Sequence, residues 1–344
     1  DLMFNEDTMC WMVIHSSLNA KSEFYCLTEA VSLYIMALCK PYTGDDLMIS
    51  APFSVIQLPN ISAIYYALLQ SGYDFYAFDR SPEHIAALHG FLCEEHLPAF
   101  FSETRQSTCD VYPFWPRAAI LETASFYLDK NISCLINYEH FYHKIMSANN
   151  ISEEERSNSL WKWIAAFPTA LRTVIESNGF KAYLDWETVW TASYIESQSS
   201  ELARIRECLD NCISRYKSPV TTIQLLINPI KCVYSADYHL LQSEFIYSSG
   251  ALNASSVIHE FLHQILHPYI VQEKDMILSR GIPCSNIDQS YLLSGDQAGK
   301  LNAFEESAVR ALTSDILQGQ YPFDLSKYLG RFLQSDLHRG PAEW

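Results

Sequence analysis

The 344-residue chain has no CxxC pair, no glycine-rich phosphate loop, no dinucleotide fingerprint, no internal repeat and no low-complexity tract. Its ten cysteines are scattered, at a frequency that suits buried thiols rather than a disulfide framework. No apolar run approaches the roughly eighteen residues a membrane helix needs, so no membrane partner is expected. Basic residues are scarce: 23 Lys and Arg stand against 40 Asp and Glu, for a formal net charge of −17. A surface this acidic repels phosphate backbones and argues against nucleic acid as a partner. Charged residues make up only 18% and hydrophobic ones 49%, a balance that excludes disorder and supports a sizeable core. The first residues, Asp1-Leu-Met-Phe-Asn-Glu-Asp7, show neither the basic start nor the apolar stretch of a signal peptide. Four Asn-x-Ser sequons, at Asn60, Asn131, Asn150 and Asn253, stand without any other sign of secretion. A cytoplasmic location is therefore the expectation, with a processed or secreted form as the alternative.

What the chain does contain is His259-Glu-Phe-Leu-His263. Residues at i and i+4 share one face of a helix, so the two imidazoles can grip one metal ion from the same side. Glu260, one step round the helix, then reaches the water such an ion would hold. This is the H-E-x-x-H arrangement of zinc peptidases, with zinc as the expected cofactor. The motif needs a helix, and the flanking residues supply one. Asn253 or Ser255 can serve as N-cap, and Val257, Ile258, Phe261, Leu262 and Ile265 form an apolar stripe. Pro268 is expected to end the helix just beyond the motif.

The spacing predicts a mostly helical region over residues 1–217, with helices at Phe24–Leu38, Ile61–Ser71, Pro82–Glu95, Ala118–Leu128, Asn137–Ser147, Ser157–Asn178 and Ser200–Tyr216. The pattern changes at Ser218-Pro219. Thr221–Asn228, Lys231–Ser235 and Ser243–Ser248 read as three short strands, forming a small antiparallel sheet beside the metal helix. Gln272–Lys300 reads as a polar connection, followed by a helix over Leu301–Gln318. The fold class is therefore α+β, mainly helical, with residues 218–344 as the metal-binding catalytic region.

Two histidines leave a catalytic zinc site one protein ligand short. His267 continues the series, but it lies about 12 Å of helix rise from His259, too far to share the ion. The longer metzincin motif asks for Gly at 266 and His at 269, where this chain has Leu266 and Tyr269. The best downstream candidate is Ala303-Phe-Glu-Glu-Ser-Ala-Val-Arg-Ala-Leu312. Glu306 sits at the edge of its apolar stripe and is the expected third ligand. Glu305 falls within the stripe and reads as a carboxylate favouring a helix N-terminus.

With these residues the chain resembles the gluzincin branch of the zincin metallopeptidases, which pair H-E-x-x-H with a glutamate on a later helix. His259–His263, Pro268 and Glu306-Ser-Ala-Val-Arg310 also look like a bacterial family of zinc peptidases. The resemblance covers residues 243–318. Many gluzincins carry an acidic residue four positions after the ligand glutamate, where it steadies a histidine. Here that position is Arg310, so the surroundings of the metal must differ.

The resemblance implies a zinc-dependent hydrolase acting on a peptide or protein. Zinc would be held by His259, His263 and Glu306, with Glu260 as general base. Glu244-Phe-Ile-Tyr247 is expected to form a sheet edge for an extended substrate. Tyr291, Arg310, Tyr321 and His338 are candidate donors to the oxyanion. The rival reading is a zincin-fold binding or regulatory protein without turnover, against which the intact Glu260 argues. A third is a purely structural helical protein that holds no metal. Other suggestive groups read as core: Glu139-His140-Phe-Tyr-His143 lacks the inverted-zincin order, and Cys208 with Cys212 has no second pair nearby.

Overall fold

In a computed structural model, placements are described for residues 2–5, 10–13, 51–72, 80–92, 97–106, 117–137, 163–234, 236–280 and 297–334. The chain divides into two units, Asp1–Ile49 and Ser50–Trp344. In the first, β1 (Leu2–Asn5) pairs antiparallel with β2 (Cys10–Val13), Leu2 opposite Val13. The helix expected at Phe24–Leu38 lies outside the described residues, as does most of that at Asn137–Ser147.

The second unit is built on a four-stranded sheet. Its strands are β3 (Phe53–Ile56), β4 (Thr222–Ile227), β5 (Asp237–Leu241) and β6 (Glu244–Ser249), in the spatial order β3-β4-β6-β5. Before β4 come α1 (Pro59–Gln70), α2 (Pro82–His89), α3 (Ala99–Gln106), α4 (Arg117–Ser125), α5 (Phe167–Glu176), α6 (Asn178–Ser197) and α7 (Ser199–Tyr216). After β6 come α8 (Ala254–Gln272), α9 (Lys274–Arg280), α10 (Gln297–Leu317) and α11 (Leu325–Gln334). The protein is mainly helical α+β, as expected. Among the described residues no helix is long and apolar enough to cross a membrane.

The sheet is mixed rather than antiparallel. β3 and β4 run parallel, as do β4 and β6, and only β5 is antiparallel to its neighbour. Two pairings account for this: β6, the hairpin partner of β5, also lies parallel beside β4, and β3, which precedes the change of pattern at Ser218-Pro219, aligns Phe53 with Ile223 of β4. Among the described residues of the expected second strand, Lys231–Ser235, residues 231–234 form turns and bends rather than a strand. Asn228 accepts hydrogen bonds from the backbone N–H of Ile230 and Lys231, which turns the chain before β5 begins at Asp237.

Strand alternation sends side chains to two separate cores. Leu226 and Ile246 pack with α1, α3, α4 and α5 on one face. Ile223, Leu225, Ile227, Phe245 and Tyr247 pack with α7, α8, α10 and α11 on the other. The second face carries the His-Glu helix. α6 has no counterpart among the expected helices because its buried positions, Phe180, Tyr183, Glu187 and Thr191, include two polar residues that break the apolar stripe. α3 was likewise not expected.

α8 starts where the sequence indicates. The Asn253 side chain accepts from the N–H groups of Ser255 and Ser256, and the Glu201 carboxylate accepts from that of Ala254 at 2.7 Å. The expected stop at Pro268 does not occur, and the helix runs on to Gln272. A proline inside a helix costs about 3 kcal/mol. Burying Ile270 in the core recovers an amount of similar order, about 1.5–3 kcal/mol.

Candidate metal centre

α8 and α10 pack against each other, so the His-Glu motif faces two adjacent glutamates across the helix pair. Phe261, Leu262, Ala303, Phe304, Ala308 and Leu312 are all buried. Imidazoles and carboxylates occupy the partly open margin of that contact. His259 and His263 approach to 3.2 Å through their Nε2 atoms. Glu306 Oε1 lies 3.3 Å from His259 Nε2, and Glu306 Oε2 lies 3.4 Å from His263 Nε2. Donors about 2.0–2.2 Å from a tetrahedral zinc are about 3.3–3.5 Å from one another, close to the separation of the two Nε2 atoms; Glu306 meets the two rings through different oxygens, and one ligand atom from each residue lies within 4.8 Å of the others. His259, His263 and Glu306 are the expected ligands, and they form a group able to hold one ion.

No family model, curated protein or solved structure matches the chain. What the site can do must be read from its own geometry.

The surroundings of the triad differ from expectation at Glu305. α10 begins at Gln297, well before Glu305, so this carboxylate is not in the first turn and the helix-dipole explanation fails. Instead Glu305 Oε1 lies 2.9 Å from His263 Nδ1, and Oε2 lies 2.8 Å from His267 Nδ1. Successive helical residues diverge by about 100°, which lets Glu306 meet one side of His263 and Glu305 the other. His267 is therefore drawn to the site without sharing the ion. The signal was present in the sequence as a third histidine at i+4 and a doubled glutamate.

One further side chain was not anticipated, and an anticipated one, Arg310, has a specific partner. Tyr238 of β5 stacks on the His263 ring, with centroids 6.1 Å apart and planes within 8°. Arg310 binds Glu306 Oε1 through Nε at 3.0 Å and Nη2 at 2.9 Å. Arg310 thus meets the Glu306 carboxylate rather than a histidine. Of the other oxyanion candidates, Tyr291 and His338 lie outside the described residues, and Tyr321 sits under Arg215 beside Cys208. His140 and His143 are also outside the described residues. Cys208 and Cys212 are buried free thiols, and burial pushes both pKa values up.

The electrostatics set Glu306 and His263 apart from Glu260. Burial opposes a charge on Glu306, but hydrogen bonds from His259 and His263 outweigh it and hold the carboxyl well below its usual range. Burial also opposes charge on His263, yet the bonds to Glu305 and Glu306 raise it to about 10. Glu260 moves the other way. Burial pushes it up to about 8, a shift that His263 reduces and that Asp237 and Glu306 reinforce. A carboxylate that holds a proton this readily suits proton transfer, and a nearby dication would bring its pKa back toward neutrality.

Proposed function

We propose that the protein is a zinc-dependent peptidase of the gluzincin kind. The observation that carries this reading is the convergence of His259, His263 and Glu306 at 3.2–3.4 Å, with Glu260 next in the same helix. The donor set fits the ion: two imidazoles and one carboxylate supply three ligands and leave a fourth position open. Zinc held by this set would lower the pKa of a water in the open position and polarise a scissile carbonyl.

The remaining roles belong to the chain. His259, His263 and Glu306 hold the ion, Glu260 accepts the proton of the attacking water, and Glu260 then passes it to the leaving amine. An extended substrate would lie along β5. Glu244–Tyr247 cannot serve as the edge, because β6 is enclosed between β4 and β5, whereas β5 ends the strand order. β5 also carries Tyr238, which stacks on a proposed ligand, so its main chain runs beside the site. Arg310 brings positive charge to the triad, and of the two described oxyanion candidates it alone touches it.

The test uses Glu260→Gln and a diverse peptide library read by mass spectrometry. The variant should retain zinc and fold, while cleavage falls at least about a hundredfold, the scale of a lost general base. Cleavage that persists unchanged would place the activity elsewhere. A zinc-loaded wild type that cleaves no library member would favour a binding or regulatory role.

A further inference from the structure

We propose that Glu305 is the positioning residue that presents His263 to the metal, and that His267 holds Glu305 in place for this task. The inference rests on the zinc-site reading and goes beyond it, because neither Glu305 nor His267 is a ligand. An ionised carboxylate only accepts hydrogen bonds, so Glu305 Oε1 at 2.9 Å requires a proton on His263 Nδ1. With that proton fixed, the lone pair of the neutral ring lies on Nε2. Nε2 is the atom 3.2 Å from His259 and 3.4 Å from Glu306. The bond therefore selects the tautomer that can ligate, and it sets the ring's rotation.

Glu305 is itself restrained. Its second oxygen meets His267 Nδ1 at 2.8 Å, and its side chain is only 11% exposed. One carboxylate thus bridges two histidines one helical turn apart on α8, while Tyr238 covers the face of the His263 ring. His259 has no equivalent clamp: among the described residues, no carboxylate lies against its Nδ1. The two ligand histidines are therefore unequal, and the orienting group acts on the second one. Arg310 leaves this role to Glu305, since it is cationic and is bonded to Glu306.

The experiment compares wild type, Glu305→Gln and His267→Gln in two measurements. Zinc affinity is read by competition with a chromophoric chelator. The ¹H and ¹⁵N resonances of the His263 Nδ1–H group are read in the zinc-loaded proteins. Loss of such an orienting partner lowers metal affinity about 10–100-fold, which is the expectation for Glu305→Gln. The strongly downfield Nδ1–H proton of wild type should also move upfield, a change that a merely structural role would not produce. His267→Gln should shift the same resonance in the same direction, with an affinity loss of only several-fold. Wild-type affinity together with an unshifted Nδ1–H in Glu305→Gln would overturn the proposal. If Glu305→Gln fails to fold, the same pair of unchanged values in His267→Gln overturns it. A wild type that takes up no zinc would instead sink the metal reading on which it stands.

Discussion

Two imidazole–carboxylate clusters flank the sheet, one on each face, and they use similar residues to opposite ends. On the α4 face, Glu122 Oε1 meets His239 Nε2 at 2.9 Å, and Oε2 accepts from Tyr65 at 2.7 Å and from Lys231 at 3.0 Å. Lys231 also reaches Asp237 at 2.6 Å and Ser248 at 3.1 Å, so its three donors have three acceptors. Glu122, Lys231 and His239 are almost wholly buried, and the group is closed upon itself. On the α8 face, the Nε2 atoms of His259 and His263 and the two oxygens of Glu306 instead face one another across 3.2–3.4 Å. Residue type does not distinguish the two clusters. What differs is that one is almost wholly buried, whereas the other gathers two imidazole Nε2 atoms and a carboxylate at a partly open margin.

The clusters also meet at one strand. Asp237 and His239 of β5 belong to the closed network, while Tyr238 between them points to the opposite face and stacks on His263. The closed network thus anchors the strand that presses on the open one.

The sharpest test of the contrast is to remove a ligand. His259→Ala and His263→Ala should each abolish stoichiometric zinc in elemental analysis while the fold persists, because both side chains lie at the margin of the core. Glu306→Gln should weaken zinc far more than Glu305→Gln, since only Glu306 supplies a donor atom to the triad. One zinc per chain retained in either histidine variant would move the site and remove the distinction drawn here.

The converse substitution should have the converse effect. Lys231→Met leaves Glu122 buried without its ammonium partner. Breaking such a pair costs about 3–5 kcal/mol. That corresponds to a fall in melting temperature on the order of 10 °C, measured on the metal-free protein. The folded fraction should still bind one zinc. Unchanged stability would mean that the network is not what anchors β5.

The open cluster was more legible in the sequence than the closed one, because of how far apart the members lie. His259, Glu260 and His263 lie within five residues on one helix, where spacing alone determines the face. The edge position of Glu306 came from the same logic. Glu305 was misjudged because the start of α10 was not legible. Gln297-Ala-Gly-Lys300 reads as polar linker, and the helix already includes it. The closed network joins Tyr65, Glu122, Lys231, Asp237, His239 and Ser248, and no local period connects residues so far apart. The same holds for β3, whose parallel pairing with β4 joins residues far apart in the sequence. Pro268 misled for a different reason: a local rule gave way to the burial of Ile270.

The smallest effect concerns pH, and here too the clusters should differ. In the metal-free protein His263 is raised from 6.5 to about 10, so its contribution to stability is complete below about pH 6.5 and is lost as pH rises through 10. Glu306 is depressed from 4.5, so its contribution is present above about pH 4.5 and is lost as pH falls through its folded pKa. The metal-free site therefore stabilises the fold most fully between those limits. Zinc bound as proposed should reverse the trend on the alkaline side, because ligation needs neutral imidazole and must displace the His263 proton. Zinc affinity should then rise about tenfold per pH unit from pH 7 to 9, and the gap in melting temperature between loaded and metal-free protein should widen with it. Lys231 and Glu122 of the closed network add no such slope, since the first is raised and the second depressed, each further from neutrality. Chelator competition at several pH values measures the slope directly. A flat profile would mean that His263 is already neutral in the metal-free protein, and that the open cluster does not hold a proton in the place of its ion.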